Sequence, residues 1–403
     1  MNNHTLDIND SVLDKGGVCC RFGQCYAFQP PTAQELSRLR RAIFETDNEN
    51  NNEGLIPSDL HLPTFDLWNY DPEQLCRLVV VFFERLDLVR TFSIPLETLQ
   101  NFVVCLRCSY RENPFHNFRH AFTVAHMLFL FFTLGEEEEE EEPGGGGEAE
   151  GGGATKGEKE KEKKDDKEKG LRPREVFTKL ETLALLVAAL CHDLDHPGLS
   201  NQYHINAVTS LALLYNNCSP LENHHCSCAW RLLYNPSTNI LINLSLQQRL
   251  EIRPLIITLI LNTDMSKHFD IMRHMQDKLK ASTSSSSSST AAKWQDRESK
   301  LLLMSIMMKA ADISNEARPW SVSKRWADLL IEEFFNQGDR ERSEGRSISA
   351  MMDRETVSQA TAQLGFIDNI LSPTLAALAQ VFPRIRCLLQ PLEENRARWK
   401  AAS

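Results

Sequence analysis

The sequence predicts an all-α fold, a compact multi-helix domain interrupted by two low-complexity loop inserts. Apolar residues recur at helical spacing or fill whole turns, and Pro and Gly fall mainly between these stretches. Alternating period-two stretches, which would indicate strands, are nearly absent. In chain order, the predicted helical stretches are 75–88, 118–134, 176–190, 211–215, 255–261, 301–311, 326–335 and 356–378.

Three polar segments lie before and between these helices. Residues 1–56 predict a mostly disordered leader with one helix around 33–45, ahead of a folded domain over 57–399. The first insert, 135–170, contains seven consecutive glutamates, a glycine run and a Lys/Glu tract, and it cannot bury enough apolar surface to offset its ordering entropy. The second insert, 281–292, contains nine consecutive Ser/Thr residues. Both inserts are expected in surface loops, where extra length costs little.

The negative charge is concentrated in the first insert. The 403 residues carry a formal net charge of −11, but residues 136–170 hold fifteen acidic residues and seven lysines, which leaves about −3 elsewhere. No basic patch predicts nucleic-acid binding. No apolar run reaches the roughly 20 residues that span a bilayer, and the N-terminus lacks a secretory pattern. We therefore expect a cytoplasmic protein with no nucleic-acid partner, no membrane insertion and reduced cysteines.

Three of the predicted buried helices end in acidic residues or histidines. Burying a carboxylate without a partner is costly, and the C-terminal end of a helix repels anions. A bound cation would resolve both difficulties. The residues at these helix ends are His192, Asp193, Asp195, His196, Thr263, Asp264, Asp312 and Glu316.

The segment HNFRH adds two histidines, His116 and His120, which share a helix face because they are four residues apart. It is not the HExxH pattern of zinc proteases, because the glutamate base is missing. Two roles are open to the pair: both ligate a metal, or one ligates and the other transfers protons. A single pair of histidines four residues apart is usually accidental, and so is a single His-Asp pair. Their occurrence together, each beside an apolar helix, indicates a functional site.

His120, His192, Asp193 and Asp312 make a set of two nitrogens and two oxygens. Such a set suits a zinc-like ion with open positions for water. The second oxygen of Asp193 could reach another, harder ion such as Mg²⁺ or Mn²⁺. Two metals about 4 Å apart polarise a phosphate and generate a hydroxide nucleophile.

Seven motifs resemble, in the same order, the catalytic-domain motifs of the class I cyclic nucleotide phosphodiesterases. They are NPFHNFRH, CHDLDHPG, SPLENHH, LNTDMSKH, KAADISNEARP, SEGRSISAMMDR and TAQLGFI. The resemblance runs from about residue 60 to 399, interrupted by the two inserts. Among subfamilies the chain is most similar to the type 9, cGMP-specific enzymes, on LPTFDLW, YRENPFHNFRH, DRERSEG and Phe115.

The resemblance implies a role for each matching position. His116 would be the general acid that protonates the leaving O3′. The four-residue set would bind Zn²⁺ tightly, and Asp193 would also reach a second metal, Mg²⁺ or Mn²⁺. His196, Glu222 and Thr263 match positions that hold the second metal's waters. Without the resemblance, these three would be read as helix caps or satisfied core groups.

Gln363 matches the purine-binding glutamine of the family, and Phe366 matches the aromatic residue that stacks on the base. The two share a helix face, and Gly365 permits close approach. An amide presents both a donor and an acceptor to a purine edge. The other residues expected to line or support the substrate pocket are His116, Asn117, His120, Asp193, Met265, Asp312, Asn315, Glu316, Leu330, Phe334 and Ala362.

The implied function is hydrolysis of cGMP to 5′-GMP, which ends cyclic nucleotide signalling. Phe334 stands where the type 9 enzymes typically carry tyrosine, so a preference for cAMP, or acceptance of both, is the near alternative. An HD-type phosphohydrolase acting on another nucleotide is more distant, and Gln363 with Phe366 argues against it. A non-catalytic nucleotide-binding scaffold is the alternative of another class, and the intact ligand set with His116 argues against it. A homodimer is an open expectation.

Overall fold

The computed structural model describes residues 30–45, 56–135, 171–284 and 291–403, and these ranges contain helices and no β-strand. This confirms the predicted all-α fold. The α-helices are α1 Ala33–Phe44, α2 Pro72–Arg85, α3 Leu88–Thr91, α4 Leu96–Ser109, α5 Phe118–Thr133, α6 Pro173–Val176, α7 Lys179–Cys191, α8 Asn201–Asn206, α9 Ser210–Leu214, α10 Pro220–Tyr234, α11 Leu246–Leu261, α12 His268–Ser284, α13 Arg297–Asp312, α14 Trp320–Ser343, α15 Gln359–Phe366, α16 Ser372–Val381 and α17 Leu389–Ala402.

Shorter turns connect several of these helices. Helices of the 3₁₀ type occupy Leu67–Asn69, Met265–Lys267, Ala291–Trp294, Ser314–Ala317 and Pro383–Leu388. A π-helical turn, Ile367–Leu371, joins α15 to α16. The predicted stretch 356–378 is therefore two helices with a widened turn between them, immediately after Phe366. Turns of this kind are frequent at functional sites.

Helices α5, α7 and α13 form the centre of the core. Helix α7 packs against α5 and α11, and α13 packs against α5. The sequence of α7 is apolar on all sides, and eleven of its residues are buried, as expected for a helix surrounded by others. Side-chain caps fix where these helices begin: Asn117 for α5, Thr178 for α7 and Asp296 for α13. The metal-site residues lie at the ends of these three buried helices.

Helix α1, which lies within the predicted leader, packs on the helical domain. Helix α1 forms where a helix was predicted, but it packs against α4 and α2, and Leu36 and Ile43 are buried in the common core. Its amphipathic pattern thus joins it to the helical domain rather than to a separate leader. Residues 1–29 and 46–55 lie outside the described residues, so the rest of that prediction stays untested.

The two predicted inserts lie largely outside the described residues, which exclude 136–170 and 285–290. At the second insert, α12 continues to Ser284, so the helix extends into the predicted loop. At the first, the Arg384 guanidinium donates to the carbonyl oxygens of Leu134 at 3.3 Å and Gly135 at 2.5 Å. The point where the first insert leaves α5 is therefore fixed to the 3₁₀ helix after α16.

One stretch, Gln359–Val381, is long and apolar enough to cross a membrane by length and composition. It spans α15, the π-helical turn and α16. Leu371, Leu375 and Leu378 from this stretch are fully buried in the protein core. Packing of this kind is typical of the core helix of a folded domain.

Candidate metal centre and active site

The donor atoms of the four predicted zinc ligands converge at the ends of three helices. His120 lies in the first turn of α5, His192 and Asp193 follow α7, and Asp312 ends α13. The Nε2 atom of His120 lies 3.1 Å from both His192 Nε2 and Asp312 Oδ1. His192 Nε2 lies 3.1 Å from Asp193 Oδ2 and 3.2 Å from Asp312 Oδ1. Residues separated by up to 192 positions in the chain thus form one cluster.

A cap fixes the helical turn that carries His120, and a hydrogen bond to the backbone orients the His192 ring. Asn117 Oδ1 accepts from the backbone N–H groups of Arg119 at 2.9 Å and His120 at 3.4 Å, which fixes the start of α5. His192 Nδ1 lies 2.9 Å from the carbonyl oxygen of Ala189. A carbonyl only accepts, so Nδ1 carries a proton, and in the neutral ring the Nε2 lone pair then faces the cluster. This is the tautomer that a metal ligand requires.

The charges of the cluster favour a cation at its centre. Burial opposes a charge on His192, but the carboxylates of Asp193 and Asp312 raise its pKa well above the ordinary value. Burial also works against ionisation of Asp312, yet His192 and His120 hold its pKa well below the usual range. The site therefore stabilises positive charge, either as a proton on His192 or as a divalent ion. Two imidazole nitrogens and two carboxylates fit a zinc-like ion.

A second group of donors shares Asp193. One ligand atom each from Asp193, His196 and His225 lies within 4.8 Å of the others. His225 Nε2 lies 3.7 Å from Asp193 Oδ1, and its ring stacks on that of His196. Burial lowers the pKa of His225 to about 3, so its imidazole is neutral. Sequence reasoning missed His225, although the motif SPLENHH carries it and the run of two histidines was its only signal.

Glu222 and Thr263, the other predicted water-shell residues, contact their own neighbours. The amide of Asn201 donates to both oxygens of Glu222, at 2.9 and 3.1 Å, and burial raises the pKa of Glu222 to about 7. The Thr263 hydroxyl donates to the carbonyl oxygen of Ile260 at 2.7 Å. Their action through waters stays a prediction.

The segment that carries Asp193 and His196 is held in a strained shape. Asp195 has a φ of 59°, a left-handed conformation that costs an L-residue roughly 1–2 kcal/mol. The Arg111 guanidinium lies 2.6 Å from one oxygen of Asp195, and His224 Nε2 lies 2.8 Å from the other. These two contacts fix the aspartate between the metal-binding positions.

Gly198 allows this segment to approach the loop before α5. Its φ is +72°, and a Cβ there would lie 2.9 Å from Asn113 Oδ1. The Asn113 amide donates to the carbonyl oxygens of His116 at 2.9 Å and His196 at 2.7 Å. Asn113 therefore connects the predicted general acid to the metal-binding segment, and only glycine fits the approach.

His116 is paired with a carboxylate that the sequence did not reveal. Its Nδ1 lies 2.5 Å from Glu333 Oε1. Glu333 Oε2 accepts from the backbone N–H groups of Phe115 at 2.9 Å and His116 at 3.0 Å. Burial works against a charge on His116, but Glu333 raises its pKa to about 9. His116 is therefore protonated at neutral pH, as a general acid must be.

His116 also lies beside both metal groups. Its ring stacks on that of His196 at a centroid distance of 4.0 Å, and the His120 ring lies 5.6 Å away. The two histidines of HNFRH have different surroundings: His120 Nε2 points to carboxylates of the cluster, whereas His116 Nδ1 points to Glu333. This favours one ligand and one proton donor over two ligands.

The predicted base-binding residues lie on α14 and α15, which pack together. Gln363 is buried, and Phe366, Ala362, Leu330 and Phe334 are partly buried. Phe334 directly follows Glu333, the partner of His116. The predicted pocket thus adjoins the predicted general acid through α14. Met265 is exposed on the 3₁₀ turn after α11.

Three other predicted pocket residues differ in what they contact. The Asn117 side chain caps α5 and donates to the carbonyl oxygens of Asn113 and Pro114, so it positions the backbone; its contact with substrate stays a prediction. Glu316 is buried and accepts from Ser323 at 2.6 Å and Trp399 at 3.0 Å, which leaves it a supporting role. Asn315 Oδ1, in contrast, is a buried acceptor without a hydrogen-bond partner, as a ligand-binding group would be.

The chain is similar to known proteins over most of its length. A family profile described as 3′5′-cyclic nucleotide phosphodiesterase matches residues 115–392. The high affinity cGMP-specific 3′,5′-cyclic phosphodiesterase 9A of Homo sapiens is 39% identical over 342 residues, which cover 85% of this chain and 50% of that protein. The probable 3′,5′-cyclic-AMP phosphodiesterase pde-4 of Caenorhabditis elegans is 34% identical over 84% of this chain and 46% of that protein. The chain spans about half the length of these curated relatives.

Solved structures share the fold. The phosphodiesterase domain of the RhoPDE fusion protein from Salpingoeca rosetta superposes with a TM-score of 0.72 at 31% identity, and the match covers 87% of this chain and 98% of that one. LmjPDEB1 in complex with IBMX superposes with a TM-score of 0.73 at 27% identity, covering 93% and 98%.

Proposed function

The chain belongs to the 3′5′-cyclic nucleotide phosphodiesterase family, and we propose that it hydrolyses cGMP to 5′-GMP and so ends cyclic nucleotide signalling. The observation that carries the proposal is the protonated His116–Glu333 pair beside the cluster of His120, His192, Asp193 and Asp312. An acid and a cation site side by side are what cleavage of a phosphodiester requires.

The residues of the cluster divide between two cations. His120, His192, Asp193 and Asp312 would hold Zn²⁺, and Asp193 with the group around His196 would hold Mg²⁺ or Mn²⁺. When bound, the cations polarise the cyclic phosphate and lower the pKa of the attacking water. The identity of each ion is part of the proposal.

His116 completes the reaction by moving one proton. The attacking water loses a proton to solvent and its oxygen forms a bond to phosphorus, while the P–O3′ bond breaks and O3′ takes a proton from His116. Glu333 occupies Nδ1 of His116, so Nε2 is the atom that donates. The neutral imidazole then regains a proton from solvent. Glu333 holds the ring in place and keeps it protonated between turnovers.

The predicted base pocket supports a purine nucleotide as the substrate, and the names of similar proteins support cGMP. Gln363 and Phe366 share a face of α15, where an amide can pair with a purine edge and a ring can stack on the base. Two relatives named as cGMP-specific are 39% identical to this chain. Relatives named as cAMP phosphodiesterases also match, and cAMP or dual specificity is therefore the second candidate. A cytoplasmic location and a homodimer stay predictions.

The test is product analysis with purified protein supplied with Zn²⁺ and Mg²⁺ or Mn²⁺. We expect cGMP to be converted to 5′-GMP, with activity lost after treatment with a chelator and restored by the metals. Formation of 3′-GMP would contradict the assigned bond cleavage. Absence of turnover in protein that carries metal would favour the nucleotide-binding scaffold.

Replacing Phe334 by tyrosine is expected to strengthen discrimination for cGMP. A new hydroxyl at this partly buried position can add one hydrogen bond to the bound base or to Gln363, worth roughly 0.5–1.5 kcal/mol. The ratio of kcat/KM for cGMP to that for cAMP should rise by about two- to tenfold. Phe335→Tyr is the matched control, because that ring packs under the Arg354 guanidinium. If Phe334→Tyr and Phe335→Tyr both keep the wild-type ratio of kcat/KM values, position 334 does not contact the bound base.

A further inference from the structure

Helix α14 carries a row of buried polar side chains along one face. Glu333, Gln337 and Glu341 are four residues apart, so they share a face, and they are 4%, 2% and 1% exposed. A buried polar group needs hydrogen-bond partners. Glu333 contacts His116, as described above; the other two side chains contact two different segments of the chain.

Gln337 is bonded to the end of the metal-binding segment. Its Oε1 accepts from the backbone N–H of Ser200 at 2.7 Å, and its Nε2 donates to Ser200 Oγ at 3.1 Å. Ser200 is the N-cap of α8, four residues after His196. A single amide thus fixes where the segment after α7 meets α14.

Glu341 is bonded to the segment 345–357, which leads from α14 into α15. Its carboxylate accepts from the backbone N–H of Ser349 at 2.6 Å and from Ser349 Oγ at 2.7 Å. Arg342 Nη2 also lies 2.9 Å from Asp353 Oδ1. Helix α15, which follows directly, carries Gln363 and Phe366.

A glycine shows how closely this segment lies on α14. A Cβ at Gly338 would lie 1.8 Å from the carbonyl oxygen of Met352, and that contact is to backbone rather than to a flexible side chain. Met352 is itself buried. The backbone of the segment therefore lies directly against the backbone of α14, and the segment leads into α15.

We propose that Gln337 and Glu341 are positioning residues for the reaction: Gln337 places the metal-binding segment, and Glu341 places the helix that binds the base. A hydrogen bond of 2.9 Å from Gln337 Nε2 to Glu341 Oε1 joins the two. One face of α14 thereby sets the relative positions of the acid, the metals and the base pocket. This inference rests on the proposed function.

The two residues are expected to affect different kinetic constants. In Glu341→Gln the side chain keeps its shape, but an NH₂ group replaces one acceptor oxygen and faces a donor from Ser349 or Gln337. Leaving buried donors unsatisfied costs enough to displace the segment. We expect KM for cGMP to rise on the order of tenfold, with kcat and the half-saturating Mn²⁺ concentration changed less than about twofold.

Gln337→Met keeps the length of the side chain and removes its three hydrogen bonds. Mutation of a residue that orients metal ligands typically lowers metal affinity by about 10–100-fold. We expect the half-saturating Mn²⁺ concentration to rise on the order of tenfold and kcat at low Mn²⁺ to fall, with KM at saturating Mn²⁺ changed much less. Glu332→Gln on α14 and Gln380→Met on α16 are matched controls, because both residues are exposed.

The experiment measures kcat, KM and the half-saturating Mn²⁺ concentration for the full chain and all four variants. The predicted result is a KM effect for Glu341→Gln, a metal effect for Gln337→Met and neither for the controls. Unchanged constants with only a lower Tm, or the same change in both variants, would overturn the proposal. A fifth variant, Ser349→Ala, removes the hydrogen bond from the Ser349 hydroxyl to Glu341 and should raise KM less than Glu341→Gln does. If Glu341→Gln does not fold, an unchanged KM in Ser349→Ala would overturn the proposed role of Glu341. Wild-type protein that hydrolyses no cGMP would contradict the proposed function instead.

Discussion

Replacing Asp312 by asparagine is expected to remove the tightly bound metal and to reduce cGMP hydrolysis by roughly 10³-fold or more. Asp312 is the one ligand of the cluster that α13 supplies, and its oxygen contacts both His120 and His192. A bound cation contributes several kcal/mol to this kind of reaction, and each 1.4 kcal/mol corresponds to a factor of about ten in rate. Zinc content measured by elemental analysis should fall from one tightly held equivalent to a small fraction of one.

Asp270→Asn is a suitable control, since Asp270 is exposed and paired with Arg273 on the surface of α12. A ligand that binds only the folded state raises stability, by about 2.7 kcal/mol at one hundred times its Kd. Added Zn²⁺ should therefore raise the Tm of the wild type and of the control, but much less that of Asp312→Asn. A variant that retains full zinc and full activity would show that the metal lies elsewhere.

Replacing His116 by alanine is expected to reduce kcat by about 10²–10⁴-fold, which is the usual contribution of a general acid. The metal content should stay at the wild-type level, because His116 contacts Glu333 rather than the oxygens of the cluster. Zinc analysis beside initial rates checks both statements. Loss of zinc in this variant would mean that His116 is a ligand and that the proton comes from another group.

Glu333→Gln should change the pH dependence in a defined direction. The carboxylate raises the pKa of His116 to about 9, so the amide variant has a lower His116 pKa. A general acid acts in its protonated form, which is present below its pKa and is lost as pH rises through it. The basic limb of the kcat/KM profile should therefore move to lower pH, and activity at pH 8 should fall more than at pH 6. If the basic limb of the Glu333→Gln profile stays at the wild-type pH, Glu333 does not set the pKa of the general acid.

Much of the metal cluster could be predicted from the sequence because its residues carry a local signal. His192, Asp193 and Asp312 directly end apolar helices, where charged groups are out of place without a cation. Their convergence with His120 then follows from the packing of α5, α7 and α13. The helical class could also be predicted, because apolar residues at helical spacing are a local sequence signal of buried helices.

Residues that act through long-range contacts could not be predicted. Glu333 lies 217 positions from His116, on a helix with many exposed charges, and nothing distinguishes it from Glu332 in the sequence. A helix could be predicted at the position of α1, but its packing on the core could not, because Leu36 and Ile43 reach the core through contacts with α2 and α4. The role of Asn117 as the cap of α5 could not be predicted either, because it depends on where the helix begins.

The most direct test of the proposed function is a comparison of kcat/KM for cGMP and cAMP with the purified, metal-loaded chain. The measurement should use initial rates over nanomolar to micromolar substrate. We predict efficient hydrolysis of the phosphodiester bond and a preference for guanine as the base. The kcat/KM should be at least about tenfold higher for cGMP than for cAMP, a difference of roughly 1.4 kcal/mol in transition-state binding. A higher kcat/KM for cAMP, or equal values, would contradict the preference for cGMP, favour the cAMP or dual-specificity candidate and leave the phosphodiesterase chemistry in place.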